Sequence, residues 1–308
     1  MTKLIVVFGA TGKQGGSVVS SILQHPILSQ QFKIRGISRD PTKPDSLALQ
    51  AKGVEVVKAD SLDKNSLRQA LKGAHTVFSV TNYWDKDSLS KKVEVTQGKN
   101  VADIAKEVGV KHLIWSSLPN VTKLTGGQLI NVPHFDGKAE VEEHIKAIGV
   151  PATFFEAGFY MSNFKTSINK GEDGKYALAM PVPGNTRIPL FNAESDTGKF
   201  VTAILSKYDD QPLGKRILGT TSYSTPDEIL RAFTEVTGHA TNYVQISDEI
   251  FKSFFPEFMA QEMLENMLLI RDWEYYGPGS QEVLRESLQI LDTKPTSIKE
   301  YFESSGPW

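Results

Sequence analysis

The sequence contains no cysteine. Disulfide bonds, thiolate nucleophiles and zinc–thiolate sites are therefore excluded, and we predict no metal site. An excess of charge of either sign is also missing, because 34 lysines and arginines are balanced by 36 aspartates and glutamates. Such a chain has no general attraction for nucleic acid or for an anionic membrane. We therefore expect any effect on genes to pass through a protein partner, without direct binding to nucleic acid.

Long hydrophobic runs are missing as well. The apolar run at residues 4–8 is too short for a signal peptide or a membrane span, and it leads directly into glycine-rich sequence. We expect a cytoplasmic protein, with the nucleus as a second location, although the sequence shows no basic localisation run. A chain of 308 residues is long enough for one large domain or two coupled domains.

Short β-type runs alternate with longer amphipathic stretches in the first half of the chain. We predict strands at residues 4–8, 33–38, 54–58, 76–80, 112–115 and 152–156, and helices at 17–23, 45–52, 65–71, 89–108 and 135–148. Repeated β-α-β units are typical of the α/β class, and here they predict a Rossmann fold, a doubly wound parallel sheet with helices on both faces. The expected strand order, 3-2-1-4-5-6, leaves a ligand crevice between the first and fourth strands.

The alternation ends after about residue 156. Segments 169–175 and 180–184 carry glycine or proline and are predicted loops, and helices are predicted around 195–207, 225–237 and 297–304. A long stretch at 251–273 is rich in aromatic residues and methionine, which is typical of core. We predict a Rossmann domain at 1–156 and a smaller α+β lobe at 157–308 that closes over the crevice. This boundary is approximate, since later segments can return to the first domain.

The first strand leads into a loop in which Gly9, Gly12 and Gly15 form a GxxGxxG pattern, and a helix follows at once. Glycine permits a tight turn and a close approach of backbone to a pyrophosphate, and the N-terminus of the helix offers N–H groups to the phosphates. Such a loop can also be a plain structural turn. Strand, loop and helix in this order favour dinucleotide binding.

The end of the second strand distinguishes NADP from NAD. An NAD site usually has an acidic residue there to bind the ribose hydroxyls, whereas this chain has Arg39, followed by Asp40 and Pro41. Arg39 can hold a 2′-phosphate, and Lys43 adds a second positive charge. We expect Asp40 to form a turn with Pro41. The sequence therefore predicts NADP(H); the alternative for Arg39 is a solvated loop residue.

Two further segments end strands at the crevice. These are Asp60 and Ser61 after the third strand, and Thr81, Asn82, Tyr83 and Trp84 after the fourth. The first pair can meet the adenine ring, and the second group can flank the ribose and nicotinamide. The alternative for the second group is a capping turn with aromatic packing.

A serine and a later helix resemble the proton-transfer set of short-chain dehydrogenases. That set combines a serine with a Tyr-x-x-x-Lys helix. Here the fifth strand ends at Ser116 and Ser117, and His134 stands in the tyrosine position before Lys138. Positive surroundings would favour a neutral histidine, which is a poor acid. His134 and Lys138 are the catalytic candidates, and the alternative is an exposed pair on a surface helix.

Four stretches carry a family resemblance: VVFGATGKQGGSV, SRDP, VTNYW and VPHFDGKAEVEEHIKAIGVP. Together they resemble the NmrA-like family of atypical short-chain dehydrogenase/reductase-like proteins, and within it an NADPH-sensor branch. The resemblance implies a Rossmann fold, NADP(H) binding and a regulatory role in place of plain catalysis. It assigns cofactor contacts to Gly9, Ala10, Thr11, Gly12, Lys13, Gln14, Arg39, Asp60, Ser61, Thr81, Asn82, Tyr83 and Lys138, and more loosely to Tyr160 and Asn163.

Two functions follow from these observations. The first is an NADP(H)-binding redox sensor of transcriptional regulation, which acts through a regulatory protein partner and changes conformation or forms a homodimer with cofactor occupancy. The second is an NADPH-dependent reductase of quinones or other small electrophiles. A quinone can take its proton from water, so the missing tyrosine does not forbid the second function.

Overall fold

A computed structural model describes residues 2–84, 89–207 and 214–308. Its strands are β1 (Lys3–Val7), β2 (Phe32–Ser38), β3 (Glu55–Lys58), β4 (Thr76–Ser79), β5 (His112–Ser117), β6 (Ala152–Ala157), β7 (Phe159–Tyr160), β8 (Ile168–Lys170), β9 (Tyr176–Met180), β10 (Ile188–Phe191), β11 (Arg216–Gly219), β12 (Ser222–Ser224) and β13 (Thr241–Gln245).

The helices complete the description. They are α1 (Lys13–Gln24), α2 (Leu28–Gln31), α3 (Pro44–Ala51), α4 (Lys64–Leu71), α5 (Lys91–Glu107), α6 (Val121–Leu124), α7 (Pro133–Ile148), α8 (Phe164–Ser167), α9 (Ala193–Ser206), α10 (Pro226–Thr237), α11 (Asp248–Ser253), α12 (Glu257–Trp273), α13 (Ser280–Gln289) and α14 (Ile298–Ser305). A single 3-10 turn at Met161–Asn163 precedes α8.

The main sheet is parallel and has the order β11-β6-β5-β4-β1-β2-β3. The predicted order of the first six strands is therefore confirmed. Its central strands are buried along almost their whole length, as expected for a sheet that is covered on both faces. Because the chain reverses direction across the sheet between β1 and β4, the loops after these two strands diverge and leave a crevice.

Two helix layers cover the main sheet, and glycines set their closest contacts. On one face, α5 meets α7 where a Cβ added at Gly98 would lie 2.6 Å from Val141 Cγ2. On the other face, α9 packs on α1, where a Cβ added at Gly198 would lie 2.3 Å from the carbonyl oxygen of Ser17. Helix α1, which begins within the glycine-rich segment 9–14 (hereafter the phosphate loop), is therefore held by a helix from the second half of the chain.

The second half also forms a smaller lobe with two three-stranded sheets. Their orders are β12-β10-β7 and β13-β9-β8. The lobe has its own apolar core, which includes Phe164 from α8, Phe233 from α10, Leu269 from α12 and Phe302 from α14. Helix α10 begins with a reciprocal capping box between Thr225 and Glu228, which satisfies two backbone donors at once. The predicted α+β lobe is confirmed.

The structure adds detail to the predictions for the second half. Residues 171–175 of the predicted loop form a turn, whereas residues 169 and 170 belong to β8, which pairs antiparallel with β9. The stretch 251–273 is interrupted before Glu257, because Pro256 lacks the N–H that a continuous helix needs. Strand β11 extends the main sheet beside β6, and α13 packs on it. The division at residues 156 and 157 stays a prediction.

None of the helices in the described ranges has the length and apolar character needed to cross a bilayer.

Candidate functional site

The loop between β1 and α1 forms the base of the crevice. Gly9 has a positive φ of 63°, and a Cβ added at Gly15 would lie 2.3 Å from the Gly9 carbonyl oxygen, so these two positions require glycine. In the described chain, no side chain caps α1, and its first turn contains no acidic residue. The helix dipole and the exposed loop around Thr11 and Gly12 thus fit an anion such as a pyrophosphate.

Gln14 is buried, and both the oxygen and the nitrogen of its side-chain amide are hydrogen-bonded. Its Oε1 accepts a hydrogen bond from Ser116 Oγ at 2.8 Å, and its Nε2 donates to Tyr160 Oη at 2.6 Å. Burial raises the pKa of the Tyr160 phenol, which therefore stays protonated. Gln14 joins the phosphate loop to the end of β5 and to the chain that follows β6.

Lys13 makes a second contact between the phosphate loop and the smaller lobe. Its Nζ donates to Ser162 Oγ at 2.7 Å and lies 3.3 Å from a carboxylate oxygen of Glu194. Tyr160 and Ser162 belong to the segment in which the family resemblance assigned looser cofactor contacts to Tyr160 and Asn163, and Asn163 is exposed at its end. This segment therefore lies against the loop itself.

The end of β2 carries the two predicted phosphate-binding cations. Arg39 and Lys43 are both exposed. Asp40 has a different role, because its Oδ1 accepts hydrogen bonds from Thr42 Oγ1 at 2.6 Å and from the Thr42 backbone N–H at 3.0 Å. These bonds hold the pKa of Asp40 below its usual value. The turn predicted for Asp40 is thus present, and its carboxylate is engaged within the loop.

The segment after β3 forms a local turn. Asp60 Oδ1 accepts the N–H of Leu62 at 2.8 Å, and the carbonyl oxygen of Ser61 accepts Asn100 Nδ2 at 3.0 Å. Asp60 and Ser61 both lie on the loop after β3, and β3 is two strands away from β1 in the sheet. Their backbone is set by these bonds, and Asp60 remains exposed.

Lys138 is held at the end of β4 by three oxygens. Its Nζ lies 2.7 Å from Thr81 Oγ1, 3.1 Å from the Thr81 carbonyl oxygen and 2.9 Å from Glu94 Oε1. The Lys138 side chain is 10% exposed and that of Glu94 is fully buried. A buried ammonium needs such a partner, because burying an unpaired charge is costly. The lysine of α7 and the turn after β4 thus form one unit, and Asn82 lies exposed beside it.

His134 has surroundings that differ from those expected. The sequence suggested positive neighbours, but the ammonium of Lys138 is paired with Glu94, and His134 Nδ1 is hydrogen-bonded to Glu262 Oε1. Tyr83 donates to the other oxygen of Glu262 at 3.4 Å. Desolvation raises the pKa of Tyr83 to about 12, and the charge of Glu262 adds to this. The imidazole therefore faces a carboxylate and a neutral phenol.

The two serines at the end of β5 point to opposite faces of the sheet. Ser116 binds Gln14 in the phosphate loop, whereas Ser117 Oγ donates to Glu142 Oε2 at 2.6 Å on the α7 side. Ser116 is therefore the serine that belongs to the crevice. Successive side chains of a strand point to opposite faces of the sheet, so Ser117 points away from it.

Glu94 and Glu262 are functional neighbours that the sequence analysis missed. Glu94 comes from the first turn of α5 and has no distinguishing signal in the sequence. Glu262 and Glu265 did have one, because two carboxylates three residues apart fall on one face of a stretch that is rich in aromatic residues and methionine. Both are buried, and Glu265 accepts hydrogen bonds from the N–H and Nδ2 of Asn131, each at 2.6 Å.

Comparisons with known proteins agree with this architecture. The model of the NmrA-like family matches residues 1–302. The NmrA-like family domain-containing oxidoreductase malD of Malbranchea aurantiaca is 34% identical over 261 residues, which are 79% of this chain and 76% of that protein.

Solved structures are similar along nearly the whole chain. One is NmrA, a negative transcriptional regulator, in complex with NADP, with a TM-score of 0.82, 24% identity and coverage of 98% of this chain and 95% of that chain. NmrA has also been crystallised with NAD. Another is the NADPH-dependent quinone oxidoreductase QOR2 of Escherichia coli, complexed with NADPH, with a TM-score of 0.76, 22% identity and coverage of 97% and 98%. At these identities the likeness concerns the fold.

A buried acidic pair joins α7 to β6. Glu142 and Glu156 lie 2.9 Å and 3.1 Å from the guanidinium of Arg216. Burial raises the pKa of Glu156 to about 7, and the attraction of Arg216 offsets only part of that effect. As pH rises above about 4.5, the unfolded chain therefore loses this proton before the native protein does, and native stability falls until about pH 7.

We expect Glu156→Gln to remove this pH dependence. We would measure the free energy of unfolding by denaturant at pH 5 and pH 8. Relative to the wild type, that of the variant should rise by on the order of 2 kcal/mol between the two pH values. The matched control is Glu286→Gln, whose carboxylate is exposed beside Lys215 and should show no such gain. A constant difference between Glu156→Gln and the wild type at the two pH values would contradict the assignment.

Proposed function

The chain belongs to the NmrA-like family, and from that premise we propose that it binds NADP(H) and reports cofactor occupancy to a protein partner through its smaller lobe. One observation carries this proposal. Two consecutive residues of the phosphate loop, Lys13 and Gln14, are hydrogen-bonded to Ser162 and Tyr160 in the segment that begins the smaller lobe.

Support for the cofactor comes from the crevice itself. The start of α1 is uncapped within the described chain and follows an exposed glycine loop, which suits a pyrophosphate. Arg39 follows the end of β2, the position at which a Rossmann domain contacts the 2′-phosphate that distinguishes NADP from NAD. The carboxylate of Asp40 accepts hydrogen bonds from Thr42 within the same loop. Lys138, held at Thr81, is the cation for the nicotinamide ribose.

Support for a regulatory output comes from competition at Lys13. A pyrophosphate at this loop competes with Ser162 for the ammonium of Lys13, so the bond to the smaller lobe differs between the free and the bound protein. A ligand shifts a conformational equilibrium only through such a difference in interaction between two states. The shifted lobe then presents a changed surface to a regulatory partner or to a second copy of the chain.

Replacement of Arg39 tests the cofactor site. We expect Arg39→Ala to weaken NADPH binding by roughly 10- to 100-fold, the range for loss of a charge-assisted hydrogen bond, and to leave NADH binding unchanged. Calorimetric titration with both cofactors measures this. Lys52→Ala is the control, because Lys52 is an exposed cation at the far end of α3. An equal loss of affinity for NADPH and NADH would argue against a 2′-phosphate contact.

Hydrogen–deuterium exchange tests the link to the smaller lobe. Saturating NADPH is expected to slow exchange in residues 9–16 and also to change it in residues 159–167, because the two segments share hydrogen bonds. Tyr160→Phe keeps the ring but removes the acceptor for Gln14, so it should reduce the second effect and retain the first. A response confined to the loops of the main sheet would sink the sensing proposal.

A second candidate is an NADPH-dependent reductase, favoured by the pairing of His134 with Glu262 and by the oxidoreductase name of the relative malD. Two-electron reduction of a quinone needs one hydride and one proton, and bound NADPH supplies the hydride. His134 as imidazolium gives the proton to the quinone oxygen and regains one from solvent. Lys138 and Tyr83 bind and orient the reactants.

Quinone-dependent oxidation of NADPH separates the two candidates. If the protein is a reductase, NADPH oxidation continues over many turnovers and His134→Gln lowers kcat by roughly 100-fold, as for the loss of a general acid. His144→Gln, a change further along α7 where the ring pairs with Asp103, should leave kcat unchanged. Absence of turnover with every quinone would leave the regulatory proposal as the function.

A further inference from the structure

A carboxylate from the smaller lobe lies between two side chains of the crevice. Glu262, on α12, is 7% exposed and approaches His134 from 128 residues further along the chain. Its Oε1 contacts both His134 Nδ1 and the His134 backbone N–H, the latter at 3.4 Å. Its Oε2 accepts the Tyr83 hydroxyl, also at 3.4 Å. Each oxygen of one carboxylate therefore binds a different segment of the site.

The direction of these bonds determines where the imidazole proton lies. An ionised carboxylate can only accept hydrogen bonds, so His134 Nδ1 must carry the hydrogen in this contact. In the neutral ring the free lone pair is then on Nε2. A group that accepts a hydrogen bond from one nitrogen of a histidine ring commonly selects the tautomer in which that nitrogen carries the proton.

Aromatic neighbours restrict the plane of the same ring. The imidazole centroid lies 4.7 Å from Phe135 in an edge-on contact, 5.2 Å from Trp84 and 5.7 Å from Tyr83. The His134 side chain is 12% exposed. Packing therefore limits rotation of the ring, and the carboxylate decides which nitrogen is held.

We propose that Glu262 is the positioning residue of this crevice, which fixes the Nδ1–H form of His134 and so leaves Nε2 as the atom that exchanges a proton with an electrophile. This inference rests on the reductase candidate for its chemistry. In that reaction the Nε2–H bond breaks as the O–H bond of the reduced quinone forms, while the hydride brings the electron pair. The neutral Nδ1–H ring stays bound to Glu262 until solvent returns a proton to Nε2.

Among residues 2–84, 89–207 and 214–308, the other charged groups near His134 have partners of their own, and Glu262 is the carboxylate bonded to the ring. These pairs are Lys138 with Glu94, Asp136 with the amides of Val121 and Thr122, and Glu265 with Asn131. The Tyr83 phenol has a pKa raised to about 12, so it is neutral and donates a hydrogen bond to Glu262. Because the phenol carries no charge, the imidazole is the group that pairs with the charge of Glu262.

Glu265 provides a matched control. It lies one turn further along α12, is 4% exposed, and joins α12 to the same region before α7 through Asn131, which is not a titratable residue. A carboxylate that only joins the lobe to the crevice would behave like Glu265. A positioning residue changes the protonation pattern of His134, which Glu265 does not.

Long-range 1H–15N spectra of the histidine rings test this without cofactor or substrate. At pH 8 the wild-type signal of His134, assigned by its loss in His134→Gln, should show the Nδ1–H pattern. Glu262→Gln should give a mixture of the two tautomers, and Glu265→Gln should retain the wild-type pattern. An Nε2–H pattern in the wild-type protein overturns the proposal, even if the Glu262 variant fails to fold.

Kinetics with NADPH and a quinone give an independent measurement. Glu262→Gln should lower kcat by roughly tenfold with little change in KM, because the proton-transfer step is weakened and substrate binding is not. Glu265→Gln should change neither. Equal losses in both variants would overturn the positioning role. If the wild-type protein reduces no quinone, the reductase candidate fails, whereas the tautomer spectra still decide the role of Glu262.

Discussion

The ion pair between Lys138 and Glu94 is the interaction on which the rest of the site depends. It joins α7 to α5 and to the end of β4, and both side chains are almost completely removed from solvent. The helices approach closely at Gly137, where an added Cβ would lie 3.0 Å from Glu94 Oε2. Trp115 completes the unit, since its Nε1 donates to the Lys138 carbonyl oxygen and its ring lies 5.8 Å from the ammonium. Removing one partner would leave a buried charge uncompensated, which is strongly destabilising.

The smaller lobe also contacts the crevice, and two of these contacts involve the candidate site residues. One is the pair of hydrogen bonds from the phosphate loop to the segment after β6, and the other is Glu262 with His134 and Tyr83. The proposal of a sensor rests on the first contact, and the reductase candidate rests on the second. The two proposed functions differ in whether an electrophile has access to His134.

Sequence patterns predicted the parts of the site that depend on local conformation. The glycine pattern predicted the tight turn at Gly9 and the close contact at Gly15, and Pro41 predicted the turn at Asp40. The surroundings of His134 were predicted wrongly, because a spacing of four residues shows only that Lys138 shares its helix face. That spacing carries no information on Glu94 or Glu262, which come from other helices and reverse the expected charge.

The sequence alone determined the parallel sheet and the nucleotide-type loop, because hydrophobic period and glycine placement act over a few residues and repeat from unit to unit. The strand order followed from the doubly wound fold that such repeated β-α-β units adopt. Only the tertiary structure decided that β11 extends the sheet, that Ser116 rather than Ser117 faces the loop, and that a carboxylate of α12 holds His134. These features join residues that are far apart in the chain, and such contacts depend on how whole elements pack. Packing of that kind leaves no periodic signal in a single sequence.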